Sequence, residues 1–121
     1  MKDSGLRSVF AMKEERRFPR ACIDTTFCLL AKSGAVKGKA KNISPVGVFV
    51  CADRRLHVGD RVHINVHLPR YHGPVFSRAE VVWTGPKQEP CRVTGVGLKW
   101  IDLSMLDLFR LDNFVRHSQE S

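Results

Sequence analysis

The stretch Asp60-Arg61-Val62-His63-Ile64-Asn65-Val66-His67-Leu68 decides the fold class. Val62, Ile64, Val66 and Leu68 occupy one phase of a two-residue repeat, and Arg61, His63, Asn65 and His67 occupy the other. Only an extended chain sends alternate side chains to opposite faces, so the stretch reads as a β-strand with one face in a core and one in water. The same residues on a helix would be scattered around its circumference. Gly59-Asp60 before the strand and residues 69–74 after it carry turn chemistry.

The pattern extends in both directions. Downstream, Val75, Ser77, Ala79, Val81 and Trp83 share one face against Phe76, Arg78, Glu80 and Val82. A polar loop over residues 85–92 then leads to a strand with Val96, Leu98 and Trp100 on one face. Upstream, Ile23, Thr25, Phe27 and Leu29 alternate with Cys22, Asp24, Thr26 and Cys28. After a turn at Gly34, Val36, Gly38 and Ala40 alternate with Lys37, Lys39 and Lys41, which places three ammonium groups on one strand face. Residues 46–51 are apolar in both phases, the mark of a strand covered on both sides.

The period changes at the end of the chain. Ser104 stands where a helix cap belongs, with Asp107 three residues on in a box-like arrangement. Met105, Leu108, Phe109, Leu111, Phe114 and Val115 form an apolar face at helical spacing, and Arg116 and His117 sit in the last turn, where cations complement the helix dipole. The expected fold is mainly β: a small antiparallel six-stranded β-barrel whose end or side is covered by a C-terminal α-helix. Residues 1–13 carry a short helical pattern (Leu6, Val9, Phe10) too brief to be stable alone, and read as a flexible N-terminal arm. The expected division is therefore an arm at 1–13, one domain at 14–117 and a tail at 118–121.

Composition bounds the function. A chain of 121 residues has room for one domain and a modest core. Its 20 Lys+Arg against 12 Asp+Glu give a formal charge of +8, a surface that favours anionic partners. No apolar run approaches the ~18 residues that span a bilayer, and no apolar leader precedes the domain. The expected location is cytoplasmic, without a membrane partner. The four cysteines, at 22, 28, 51 and 91, lack Cys-x-x-Cys spacing, and Cys22, Cys28 and Cys51 read as small structural hydrophobes in strands. His63 and His67 lie ~13 Å apart along a strand, too far to share an ion, so no metal is expected. No nucleophile elbow, phosphate loop or carboxylate cluster is present, and the chain reads as a non-enzyme without a cofactor.

Two short motifs remain. Glu15-Arg16-Arg17-Phe18-Pro19-Arg20 holds an Arg-x-x-x-Arg spacing just before the first strand, and Asn42-Ile43-Ser44-Pro45-Val46-Gly47 sits where a strand turns. Asn42 offers donors and acceptors, Ser44 adds a hydroxyl, and Gly47 removes a Cβ where another backbone or a flat ligand approaches closely. Together, in this order and at this separation, the motifs resemble the PilZ domain, the bacterial receptor module for cyclic di-GMP. That family carries Arg-x-x-x-Arg in an N-terminal arm and Asp/Asn-x-Ser-x-x-Gly some twenty to thirty residues later. Arg16, Arg20, Asn42, Ser44 and Gly47 match position for position.

The resemblance implies a cyclic di-GMP receptor that signals to a protein partner. The chemistry suits it. The ligand presents two phosphates and two guanine edges, and the planar guanidinium fork makes paired hydrogen bonds to either. Arg16 and Arg20 would wrap the ligand from the arm, and Arg17 would share the phosphate work. Asn42 would meet a guanine edge, Ser44 would bind ligand or hold the loop, and Gly47 would let the ligand lie close to the barrel. Trp83 is a candidate stacking platform, weighed against a place in the core. Two other readings remain: an adaptor of the same fold that ignores the nucleotide, and a small basic barrel for single-stranded nucleic acid. The latter wants exposed aromatics along a sheet, whereas Phe27, Trp83 and Trp100 fall on apparent core faces.

Overall fold

Six strands form where alternation predicts them: β1 (Ala21–Ala31), β2 (Gly34–Ile43), β3 (Gly47–Ala52), β4 (Arg61–Leu68), β5 (Gly73–Thr84) and β6 (Thr94–Trp100), followed by helix α1 (Met105–Glu120). The computed structural model describes residues 20–70, 73–85 and 94–120. The predicted arm and the positions of Arg16 and Arg17 lie outside the described residues.

All neighbouring strands are antiparallel, and the sheet closes in the order β1-β2-β3-β6-β5-β4, with β4 returning to β1. Closure gives every strand two partners and leaves no edge to template pairing with another chain. One phase of each strand points inward. Phe27, Leu29, Val36, Ala40, Ile43, Val48, Val50, Val62, Ile64, Val66, Leu68, Val81, Val96 and Leu98 fill the barrel and are all buried. At ~1.5–3 kcal/mol for each large side chain taken out of water, this interior is the main source of stability.

Three pairings slip register: between Cys22 and Thr25 in β1, between Ala40 and Asn42 in β2, and between Val81 and Trp83 in β5. A β-bulge adds one residue to one strand and reverses the faces that follow. In β5 the consequence corrects the sequence reading. Trp83 pairs with Gly97, as Phe49 does, while Val81 pairs with inward Leu98. Trp83 therefore leaves the face of Val75, Ala79 and Val81 and lies on the outer wall.

Helix α1 begins as expected, with the Ser104 hydroxyl accepting from the Asp107 N–H at 3.0 Å. Asp107 in turn accepts from Arg110 at 2.6 Å. The apolar face is shorter than its spacing implies. Leu111, Phe114 and Val115 are buried in the core cluster, whereas Met105, Leu108 and Phe109 are exposed. The buried apolar residues of the helix all lie in its second half, and the helix contacts β1. The cysteines also depart from expectation. Cys22 and Cys28 are exposed on the outer phase of β1, and Cys51 is disulfide-bonded. No described helix is long and apolar enough to cross a membrane.

Candidate functional site

The Asn42–Gly47 corner joins β2 to β3, and its parts do different work. Ser44 is buried, and its hydroxyl accepts from the N–H groups of Val46 at 3.0 Å and Gly47 at 3.3 Å. Its own N–H donates to the Gly47 carbonyl at 2.9 Å. Its carbonyl accepts from the Trp100 indole N–H at 2.9 Å, and the Trp100 backbone N–H donates to Val46 at 3.1 Å. Ser44 thus closes the turn on itself and bolts it to the end of β6.

Gly47 is explained by the same packing. A Cβ there would lie 2.1 Å from the Leu98 carbonyl oxygen on the neighbouring strand. Of the two close approaches the sequence offers, backbone or ligand, the structure shows the backbone.

Asn42 is different. The slip after Ala40 turns it outward, opposite Cys22 on β1 and Phe49 on β3. Its Oδ1 is buried and has no hydrogen-bond partner among the described residues. A buried acceptor without a donor costs ~1–3 kcal/mol, so an arrangement that retains one needs a reason. Arg20 stands beside this corner. Ala21 pairs with Ile43 and Cys22 with Asn42, so the antiparallel register runs Arg20 past Ser44. Arg20 therefore enters β1 next to the turn. Arg20 itself is half-buried.

Along the outer wall from Asn42 come Phe49 on β3, Gly97 on β6 and Trp83 on β5. The Phe49 and Trp83 rings are 5.9 Å apart at 38°. Both lie over glycine backbone: a Cβ on Gly95 would meet Phe49 at 2.8 Å, and one on Gly85 would meet Trp83 at 2.4 Å. The Thr94 hydroxyl donates to the Gly85 carbonyl at 2.7 Å and steadies the strand ends beneath. At ~4.8 Å per strand, the row from Asn42 to Trp83 spans roughly 14 Å. Sequence reading had no place for Phe49; its signal was an aromatic in the outward phase of a strand apolar on both faces.

The wall carries charge on β2, and on β6 and β5 through the paired Lys99 and Glu80. Lys41 pairs with Asp24 at 2.9 Å. That hydrogen bond, with the charge of Lys41 and then Lys39, holds the Asp24 carboxyl below its ordinary range. Among the described residues no three His, Cys, Asp or Glu side chains are grouped to hold a metal.

A closed six-stranded barrel with a C-terminal helix packed against β1, and an Asn-x-Ser-x-x-Gly corner beside the start of β1, defines a small β-barrel module. The model of the PilZ domain matches residues 14–117, and the chain belongs to that family. No curated protein matches it by sequence. Among solved structures, the chain is similar to the Bacillus subtilis inhibitor of motility MotI/DgrA at 16% identity and a TM-score of 0.74, covering 89% of this chain and 52% of that one. It is similar to the PilZ domain of Escherichia coli YcgR, solved with c-di-GMP, at 12% identity and a TM-score of 0.68, covering 87% and 92%. It is also similar to the PilZ domain of CeSA from a cellulose-synthesizing bacterium at 15% identity and a TM-score of 0.58, covering 83% and 97%. The chain spans about half the length of the Bacillus protein.

Proposed function

We propose that the protein is a receptor for cyclic di-GMP and that the outer wall over β2 and β3 is its binding site. The observation that carries this is the buried, unpartnered Oδ1 of Asn42 beside the strand that Arg20 leads into. The side-chain amide offers a donor and an acceptor to a guanine edge. Arg16 and Arg20 supply paired donors to phosphate or to guanine O6 and N7, with Arg17 sharing the phosphate. Phe49 and Trp83 give a base a flat surface along the same wall. Ser44 and Gly47 shape the corner rather than touch the ligand. Family membership supports the reading, as do two similar folds: YcgR was solved with c-di-GMP, and MrkH is a c-di-GMP-dependent transcription regulatory factor.

The output follows from where the arginines sit. Residues 13–20 hold Lys13, Arg16, Arg17 and Arg20 against Glu14 and Glu15, a net positive charge that two phosphates neutralise, so binding the nucleotide and ordering this segment are one event. The surface changed by ordering is what a protein partner reads. The domain that does this runs from 14 to 117, with 1–13 and 118–121 dispensable for binding.

Calorimetric titration with cyclic di-GMP, cyclic di-AMP, GMP and a short oligonucleotide tests the reading. Cyclic di-GMP binds with an affinity that falls as salt rises, and cyclic di-AMP, which replaces the O6 acceptor with an amino donor, binds less tightly. Equal binding of the two dinucleotides would show general charge attraction instead of base recognition.

A further inference from the structure

The wall across the barrel from the Asn42 corner carries a second surface. One row of paired residues runs Lys37 (β2), Cys28 (β1), Asn65 (β4), Phe76 (β5). The next row runs Ala35, Leu30, His63, Arg78 across the same strands. All point outward, in the phase opposite to the buried Leu29, Val36 and Ile64. A water-facing strand phase is ordinarily polar, yet Leu30 is 59% exposed and Phe76 63% exposed. Between them lies an open groove of about 550 Å³, closed at one end by the Arg78–Asp102 ion pair at 2.9 Å. A smaller hollow of about 250 Å³, reaching Lys37 and His67, adjoins it at Cys28 and Asn65.

Asn65 is the second observation. It lines both hollows, and its Oδ1 is buried without a hydrogen-bond partner among the described residues. An acceptor in that state, on the floor of an apolar groove, is matched by a donor that arrives with whatever fills the groove. Charge says what that is. Lys37 and Lys39 lie beside the smaller hollow, and neither ammonium group has an ion-pair partner among the described residues, whereas Lys41 is matched to Asp24 and Arg78 to Asp102. The groove is apolar at one end and lined by lysine at the other, where the Lys37 ammonium has no carboxylate partner among the described residues.

We infer that this groove docks an acidic peptide segment of a protein partner. An apolar side chain of the segment sits between Leu30 and Phe76, a backbone N–H or side-chain donor satisfies Asn65, and a carboxylate reaches Lys37 or Lys39. An aromatic or leucine anchor lies ~14 Å or less from the carboxylate, because Lys37 and Phe76 are three strand spacings apart. Since the barrel is closed, the segment engages side chains and adds no strand. The inference stands apart from the nucleotide reading: the groove crosses from Ala35 and Lys37 on β2 over β1 and β4 to Phe76 on β5, whereas Asn42 lies five residues further along β2, facing β3.

The test selects a phage-displayed random peptide library against the immobilised full-length protein and measures synthetic peptides of the enriched sequence by nuclear magnetic resonance and anisotropy. The expected result is an aromatic or leucine flanked by Asp and Glu, with amide shifts confined to residues around Leu30, Asn65 and Phe76. Affinity falls roughly tenfold or more in Phe76→Asp and in the double variant Lys37→Glu/Lys39→Glu. Both variants alter exposed side chains, and an unchanged melting temperature confirms that they fold. Enrichment without acidic bias, or equal binding to Phe76→Asp, overturns the proposal. So does a mass doubling on light scattering that Phe76→Asp abolishes, which would make a second copy the occupant. Displacement of the peptide by oligothymidine, with the same shifts, would make the occupant a nucleic acid and overturn it too.

Discussion

Asn42 and Ser44 stand two residues apart on one turn, and their substitution to alanine is expected to fail in opposite ways. Ser44→Ala strips the acceptor from two backbone N–H groups in a buried turn, which lowers stability by about 1–3 kcal/mol in urea denaturation. Asn42→Ala removes a buried acceptor that has no partner. The free protein should be as stable as before or more so, while cyclic di-GMP affinity falls by about 1–3 kcal/mol on calorimetry. Arg16→Ala and Arg20→Ala should each cost a similar amount of affinity. Gly47→Ala drives a Cβ against Leu98 and should lower the melting temperature without ligand, a loss of about 1–3 kcal/mol. The carboxyl of Asp24 titrates below the ordinary 3.8. Its folded form favours ionisation, so the pairing with Lys41 persists above that value and is lost as pH falls through the depressed one. Lys41→Met should move the Asp24 titration upward in a resonance experiment. Sequence marks these residues as unusual because Asn, Ser and Gly are costly in a strand unless used. It does not tell a hydroxyl that ties a turn from one that meets a ligand, because both need the same atom.

The elements divide in a similar way. β1, β2 and β4 were legible because their inward residues obey a two-residue period over most of their length. The bulges were not, since one extra residue leaves no compositional trace, and this is why Trp83 reads as core from sequence yet stands outside. The helix was legible in its cap and period but not in how much of it is covered. Spacing shows which residues share a face, and the length of barrel beneath that face is a tertiary fact. Unequal costs along α1 follow. Phe114→Ala, in the buried half, should destabilise by about 3–5 kcal/mol. Phe109→Ala, on the exposed half, should leave the denaturation midpoint almost unchanged. Loss of the Ser104 cap should cost ~1 kcal/mol.

For the whole molecule, ligand-dependent change belongs at one end and not throughout. Hydrogen exchange with cyclic di-GMP should slow over residues 15–21 and 41–48 and stay flat in β4 and in α1. Slow exchange of 15–21 before ligand is added would rule out ordering as the signal, even with the site correct. The two tryptophans turn the fold into its own optical gauge. Trp100 is sealed at the barrel end with its indole N–H on Ser44, while Trp83 lies half-exposed beside Phe49 on the outer wall. A dye-free fluorescence titration can therefore separate events at the wall from events in the interior. In Trp100→Phe all tryptophan emission arises from one indole, and a guanine stacked there quenches it along the calorimetric binding curve. Emission that stays constant through saturation would place the nucleotide short of β5, on the half of the wall that Asn42 and Phe49 share.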